Sequence, residues 1–315
     1  MKTSNARAKG LSGLIADTDI RLLKIFKAVV ECGGFTNAEV ELNISRSAIS
    51  IAMNDLEQRL SLKLCQRGRS GFSMTDQGTD VYQSTLQLFS ALEDFRTQVN
   101  SLHLQLKGEL NIGITDTLVT MPKMKITQAL SQLKQRGPEV TLNIRMIPPA
   151  DIEMGVLDGK LHTGVIPVTK TLPGLEYIKL YNEQSLLYCS DAHPLFSQAD
   201  ESISMDAIEN QEAVMPAYAQ SATIKSLYQN LKKGASATDR EGIAFLILTG
   251  HYIGYLPTHF AQRWVQEGKL RALLPKQLSF KTPIAAISRK GAINNLVLNC
   301  YLQQLDEDLN TQLSV

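Results

Sequence analysis

The chain has 315 residues, 43% hydrophobic and 20% charged, with a net charge of +1, enough for two or three globular domains but not the balance of a uniformly basic nucleic-acid protein. Its four cysteines (Cys32, Cys65, Cys189, Cys300) stand far apart, without metal-ligand spacing or the density of a disulfide framework, and read as reduced thiols. Residues 1–16 hold no apolar run of signal-peptide length, and no uninterrupted apolar stretch approaches about 18 residues, so a cytoplasmic chain without export or a membrane span is expected.

The charge is uneven. Residues 1–75 carry eleven Lys and Arg against seven Asp and Glu, a net +4 that leaves −3 for the remainder. A modestly basic head on a slightly acidic body fits a protein that contacts a few phosphates through one module. Asp17-Thr18-Asp19 places acids and a capping residue ahead of Ile20, Leu23, Phe26, Lys27 and Val30, a helical spacing that ends at Gly33-Gly34. Thr36 is the expected N-cap of a short second helix through Leu42. After a turn at Asn43-Ile44, Ser45 caps a third helix reaching about Leu60.

Helices of about 14, 7 and 15 residues joined by such short turns bury their apolar stripes only against one another, which gives a helix-turn-helix. In the third, Ala48, Ile49, Ala52, Met53, Leu56 and Leu60 form the inward stripe, and Arg46, Ser47, Ser50 and Asn54 lie opposite. Small polar residues and an arginine suit a helix that enters the major groove, and equally a solvated helix face. The stretch 65–74 (CQRGRSGFSM) reads as a β-wing. Its Arg67 and Arg69 are either phosphate or minor-groove contacts or plain exposed loop arginines.

Thr75-Asp76-Gln77 then caps a helix expected to reach about Leu106. On it Leu88, Leu92, Phe95, Val99, Leu102 and Leu106 alternate four- and three-residue steps, a heptad seam on a rod of about 45 Å. So narrow a seam calls for a partner helix, and an antiparallel second copy, hence a homodimer, is the simplest one. From residue 108 the period changes. Strands are expected at 109–114, 140–146, 164–166, 177–180, 185–189, 213–215 and 253–256, with helices at 124–133, 152–157, 221–231, 241–248 and 291–309. Strands alternating with helices at this spacing imply a mostly parallel α/β sheet in two linked lobes.

The blocks DIRLLKIFKAVVECGGFTNA, LNISRSAIS, LEQRL and RGRSGFSMTDQG, in order between Asp19 and Gly78, resemble the LysR-type transcriptional regulators over sixty residues. The resemblance implies an α/β protein overall: an all-α winged helix-turn-helix at 17–75 behind an N-terminal extension (1–16), a linker and dimerisation helix at 76–107, and a two-lobed, periplasmic-binding-protein-like sensor domain at 108–315. It puts Arg46, Ser47 and Ser50 of the recognition helix toward bases and Thr36 and Arg67 toward phosphates, with Ser45, Asn54 and Arg69 beside them. Glu39 stands where the family usually has Ala, and Leu64-Cys65-Gln66 where it usually has Leu-Phe before the wing arginine. Promoter DNA, a small-molecule effector and RNA polymerase are the implied partners, with a homotetramer built from dimers and no cofactor.

The resemblance continues more weakly through GELNIG (108–113) and GHYIGYLP (250–257). It implies an effector cleft between lobes, with Thr115, Thr117, Val168, Pro216, Ala217 and Asp239 at lining positions and Glu241 near them. Thr115 would follow the first strand and precede a helix, where a hydroxyl and free N–H groups can hold a carboxylate or another anion. His162 stands where the family usually has Asp, as an effector contact or as a partner to a strand end. The alternative is a two-lobed binding protein or enzyme with an accessory helical head. Against an enzyme, the sequence has no Gly-rich phosphate loop or nucleophile elbow, and its five histidines share no motif.

Overall fold

The computed structural model describes residues 15–68, 71–102, 106–292 and 295–306. The chain divides into two compact units, Met1–Leu92 and Glu93–Val315. Among the described residues no helix is long and apolar enough to cross a membrane.

In the first unit, α1 (Asp17–Glu31), α2 (Phe35–Leu42) and α3 (Arg46–Leu60) pack around Phe26, Val29, Ala38, Ile49, Met53 and Leu56. The start of α1 departs from expectation. Its N-cap is Ala16, and Asp19 in the first turn reaches back to accept the Ala16 N–H at 2.9 Å. Asp19 also receives the Arg59 guanidinium of α3 at 2.8 Å, so one carboxylate caps one helix and ties it to another. The second expected cap shifts too: Gly34 at φ +144° precedes Phe35, which leaves Thr36 exposed in the first turn. Ser45 caps α3 as expected, accepting from Ala48 N at 3.3 Å. Ala48 itself is exposed rather than inward, and the buried stripe gains Glu57 in its place.

Glu57 holds the start of the wing. Its Oε1 accepts the N–H groups of Leu64 (2.9 Å) and Cys65 (3.2 Å), and its Oε2 receives Lys63 Nζ at 2.5 Å. This anchors the first strand of a two-stranded wing, β1 (Cys65–Gly68) antiparallel to β2 (Gly71–Met74). Thr75 then donates its backbone N–H to the Leu64 carbonyl at 3.0 Å and its hydroxyl to the Lys63 carbonyl at 2.5 Å, and accepts from Gly78 N at 2.9 Å, opening α4 (Asp76–Leu102). A Cβ at Gly78 would lie 2.0 Å from the Leu64 carbonyl oxygen, so glycine is required for the wing and α4 to approach this closely. On α4, Leu88 is half-buried, but Leu92 (44%), Phe95 (65%) and Val99 (39%) are exposed. The helix is described to Leu102, and Leu106, expected on the same seam, packs against the core of the second unit.

The second unit contains β3 (Gly108–Ile114), β4 (Val140–Met146), β5 (Thr163–Pro167), β6 (Leu175–Ser190), β9 (Gly254–Pro257), β10 (Leu270–Ala272) and β11 (Ser279–Arg289) in one sheet, ordered β10-β6-β11-β5-β3-β4 with β9 also on β6. A second sheet pairs β7 (Glu212–Pro216) with β8 (Lys232–Ala237). Among the described strand pairs β3–β4, β3–β5 and β7–β8 are parallel and the others antiparallel, so the expected mostly parallel sheet is in fact mixed. The reason is β6 and β11, two long antiparallel strands that run through both lobes. The two strands expected at 177–180 and 185–189 are one continuous β6.

Around these strands α5 (Lys125–Arg136), α6 (Pro149–Leu157) and α11 (Leu296–Leu305) cover one lobe, with cores around Ile112, Leu133 and Tyr301 and around Ile152 and Ile166. In the other lobe α7 (Met205–Glu209), α8 (Ala222–Tyr228), α9 (Arg240–Leu248) and α10 (Thr258–Gln266) enclose cores around Leu187 and Ile253 and around Ile243 and Leu256. Asn295 caps α11 at Leu298 N, so this helix is shorter than the expected 291–309.

Burial opposes the charge on Glu57, but the Lys63 ammonium and the two wing N–H groups outweigh it and lower its pKa. Removing this carboxylate as Glu57→Ala should destabilise the first unit by about 2 kcal/mol. The loss should appear in the far-ultraviolet circular dichroism transition without altering the fluorescence transition of Trp264, the single tryptophan, which lies in the second unit. The sign with pH comes from the lowered pKa: the contribution is complete at neutral pH and is lost as pH falls below the ordinary Glu range of about 4.3. The variant should lack that component of acid unfolding.

Candidate nucleic-acid interface and ligand cavity

The exposed side of α3 begins at the Ser45 cap, whose Oγ lies 2.9 Å from Ser47 Oγ. Arg46, Ser47 and Asn54 are exposed and Ser50 is half-buried, so the structure puts the expected recognition residues on one side of the helix. Thr36 is exposed on α2. Arg67 lies in β1 opposite Phe72, but its side chain is outside the described atoms, and Arg69 falls outside the described residues.

Sequence reasoning missed Ile51. It is 62% exposed and sits on α3 one turn beyond Ser47 and one before Asn54 and Asp55. A β-branched apolar side chain left in water amid polar neighbours has no core to serve. The signal was available, since Ile51 falls outside the Ile49–Met53–Leu56 stripe. Of the family departures, Glu39 is half-buried on α2 and Cys65 is buried in the helix cluster.

In the second unit a cavity of about 340 Å³ opens between the end of β3, the start of α6 and the N-terminus of α9. Thr115 and Asp239 line it as expected, with Glu241. Thr117, Val168, Pro216 and Ala217 do not; the lining atoms at these places come from Asp116, Pro167 and Tyr218, a residue or two away. Strand ends alternate their faces, so a loop assigned correctly still presents the neighbouring side chain. Ala217 is exposed and pairs its N–H with Ala237 O at 2.8 Å, and Val168 pairs with Pro283 O at 2.8 Å. Thr117 is buried at φ +67°, a strained setting for a β-branched residue, and holds the turn after Asp116. His162 lies away from the cavity; its Nδ1 accepts Asn111 N at 2.9 Å and its N–H returns to Asn111 O at 2.8 Å, joining it to β3.

Thr115 is also not the open anion-holding position expected. Its N–H and hydroxyl both go to the Val165 carbonyl, at 3.1 and 3.4 Å, and the next element is a short 3-10 turn (Leu118–Thr120). The charged centre is Arg240, which the sequence did not single out and which is only 8% exposed at the first position of α9. Asp116 accepts both the Arg240 backbone N–H, at 2.6 Å, and one guanidinium nitrogen, while Glu183 of β6 takes another at 3.3 Å. The Tyr218 ring faces the guanidinium carbon at 5.7 Å. Behind Glu183, His259 Nε2 lies at 3.0 Å, and His259 Nδ1 lies 2.7 Å from Thr120 Oγ1. Burial works against the Arg240 charge, but Glu183, Tyr218 and Asp116 outweigh it and raise its pKa.

Arg240 thus joins elements of both lobes through two carboxylates. Replacement by Met leaves Glu183 and Asp116 without their cation, and breaking a buried pair in this way costs about 3–5 kcal/mol. Arg240→Met should therefore lower the stability of the second unit, read from Trp264 fluorescence in urea.

Comparison with known proteins gives a consistent result. Residues 20–79 match the family model described as bacterial regulatory helix-turn-helix protein, lysR family, and residues 103–310 match the LysR substrate binding domain. The chain is 54% identical over 291 residues to the HTH-type transcriptional activator BauR of Pseudomonas aeruginosa, covering 92% of this chain and 95% of that protein. Among solved structures, full-length CbnR complexed with its target DNA aligns with a TM-score of 0.64 at 18% identity, over 91% of this chain and 98% of that one. A full-length OxyR variant from Pseudomonas aeruginosa aligns with a TM-score of 0.63 at 14% identity, over 93% and 95%.

Proposed function

The chain belongs to the LysR family of bacterial transcriptional regulators, and from that premise we propose how its parts divide the work. It is a DNA-binding regulator whose promoter binding is modulated by a small molecule held in the C-terminal domain. Residues 17–75 form the reading head, 76–107 the pairing helix and 108–315 the sensor, working in the cytoplasm. Arg46, Ser47, Ser50, Ile51 and Asn54 face the major groove, where Ile51 meets a thymine methyl group. Ser45 and Thr36 lie by the backbone, and Arg67 and Arg69 hold phosphates or the minor groove from the wing. Carrying this reading is the exposed, mostly polar side of α3 beginning at a Ser-capped N-terminus. By its likeness to BauR, which is named an activator, the protein raises transcription by contacting RNA polymerase at its promoters.

DNA selected from a random pool by the full-length protein should show two half-sites on one face of the duplex, about one helical turn or a multiple apart. On that DNA, Arg46→Ala should weaken specific binding more than non-specific binding, by about 1–3 kcal/mol. Arg67→Ala should weaken both and reduce the slope of affinity against salt by about one. Equal losses in the two variants would remove the assigned roles.

Dimerisation through α4 is supported by Leu92, Phe95 and Val99, three exposed apolar side chains on one seam. A tetramer would follow if sensor domains pair as well. The double substitution Phe95→Glu with Val99→Glu should convert the species built through α4 to smaller ones in sedimentation velocity, and should weaken DNA binding through loss of the second half-site. An unchanged sedimentation coefficient would place the pairing surface elsewhere.

A further inference from the structure

We infer that the ligand of the sensor cavity carries an organic cation, an amine or guanidinium group on a short carbon frame, because the helix N-terminus and guanidinium that would receive an anion are already engaged by Asp116 and the rest of the charged lining is acidic. This rests on the reading of the cavity as the effector site. The cavity has two features suited to an anion, the N-terminus of α9 and the Arg240 guanidinium. Asp116 fills both. One of its oxygens takes the first N–H of α9 at 2.6 Å and the other takes the guanidinium, so it sits where the carboxylate of a bound ligand would. Glu183 takes a further guanidinium nitrogen at 3.3 Å, and Asp239 takes Gly242 N at 2.7 Å. The donors of Thr115 are spent on Val165.

What remains open is acidic. Asp116, Asp239 and Glu241 line the cavity against Arg240 alone, and Asp239 and Glu241 are exposed at its rim. An arriving carboxylate meets an excess of carboxylates around a guanidinium already paired with Asp116 and Glu183, whereas an arriving ammonium meets carboxylates of opposite charge.

A second observation lies beside it. A smaller pocket shares Pro167, Tyr218 and Arg240 with the first and is lined further by Tyr228, Tyr255 and Phe280. The Tyr255 hydroxyl is buried there with no hydrogen-bond partner from the protein, a polar group that a bound ligand could satisfy. The protein's own guanidinium, held between two carboxylates and a tyrosine ring, shows the kind of group these walls accept.

The test uses the full-length protein and three probes of matched chain, n-butylammonium, butyrate and butan-1-ol, at constant ionic strength, with thermal unfolding monitored at Trp264. Butylammonium alone should raise the unfolding temperature of the natural protein saturably. Asp239→Asn with Glu241→Gln, which keeps a capping side chain on α9, should weaken that effect about tenfold or more in apparent dissociation constant. In Asp116→Ala, butyrate should now stabilise the protein saturably by entering the vacated position. Stabilisation of the natural protein by butyrate and not by butylammonium overturns the charge class while leaving the cavity as the effector site. An undiminished butylammonium effect in the double variant also overturns the inference. No response to any probe in the natural protein or in Asp116→Ala overturns the inference together with the reading of the cavity.

Discussion

A guanidinium moved out of water must find carboxylates, because an unpaired charge at that depth would cost several kcal/mol. In the sensor unit that requirement falls on Arg240, and much of the surrounding architecture is set by it. Glu183 must sit buried in the middle of β6, Asp116 must turn back from the end of β3, and α9 must begin at a fixed point against both. Because β3 and α9 belong to different lobes, the ion pair sets their relation at the cavity mouth. His259 extends the same constraint to α10 through Glu183 and to the turn after β3 through Thr120.

The reading head solves a related problem with the opposite charge. Glu57 is buried under the start of the wing and made tolerable by Lys63 and two backbone donors, and Asp19 ties α1 to Arg59 of α3. Both carboxylates fix the frame from which α3 presents its outer side. In each unit, then, apolar packing supplies the bulk of the stabilisation, and a few buried acid-base contacts determine register. The exposed faces to which we propose a function, α3 toward DNA and the seam of α4 toward a second copy, are what the packed faces leave over.

How much of the fold was legible in the sequence depends on the range of the interaction. Local periodicity was enough for α3, where a Ser cap and an apolar stripe coincide, and for β4, whose bounds match the expected ones. It failed where the cause lies far away in sequence. Asn182-Glu183-Gln184 looks like a polar break between two strands, yet Glu183 is buried by Arg240, 57 residues on, and β6 runs straight through. β8 was missed because Lys-Lys-Gly-Ala-Ser-Ala has no alternation; it is held by pairing with β7. β11 was missed because Lys281 and Pro283 interrupt its pattern, while its pairing partners in β5 and β6 lie about a hundred residues earlier. The cavity shows the same limit: the loops were right, but the turn after β3 presents Asp116 rather than Thr117, and β7 leads to Tyr218 rather than Pro216.

Asp116 and Arg240 act as one unit across the cavity, and a double-mutant cycle tests their coupling directly. It compares Asp116→Ala, Arg240→Met and the pair in urea unfolding monitored at Trp264. If the two side chains are coupled as the geometry requires, the paired variant loses less than the sum of the single losses, by about 2 kcal/mol. Strictly additive losses would mean that the two side chains contribute separately and that the lobes are not joined through them.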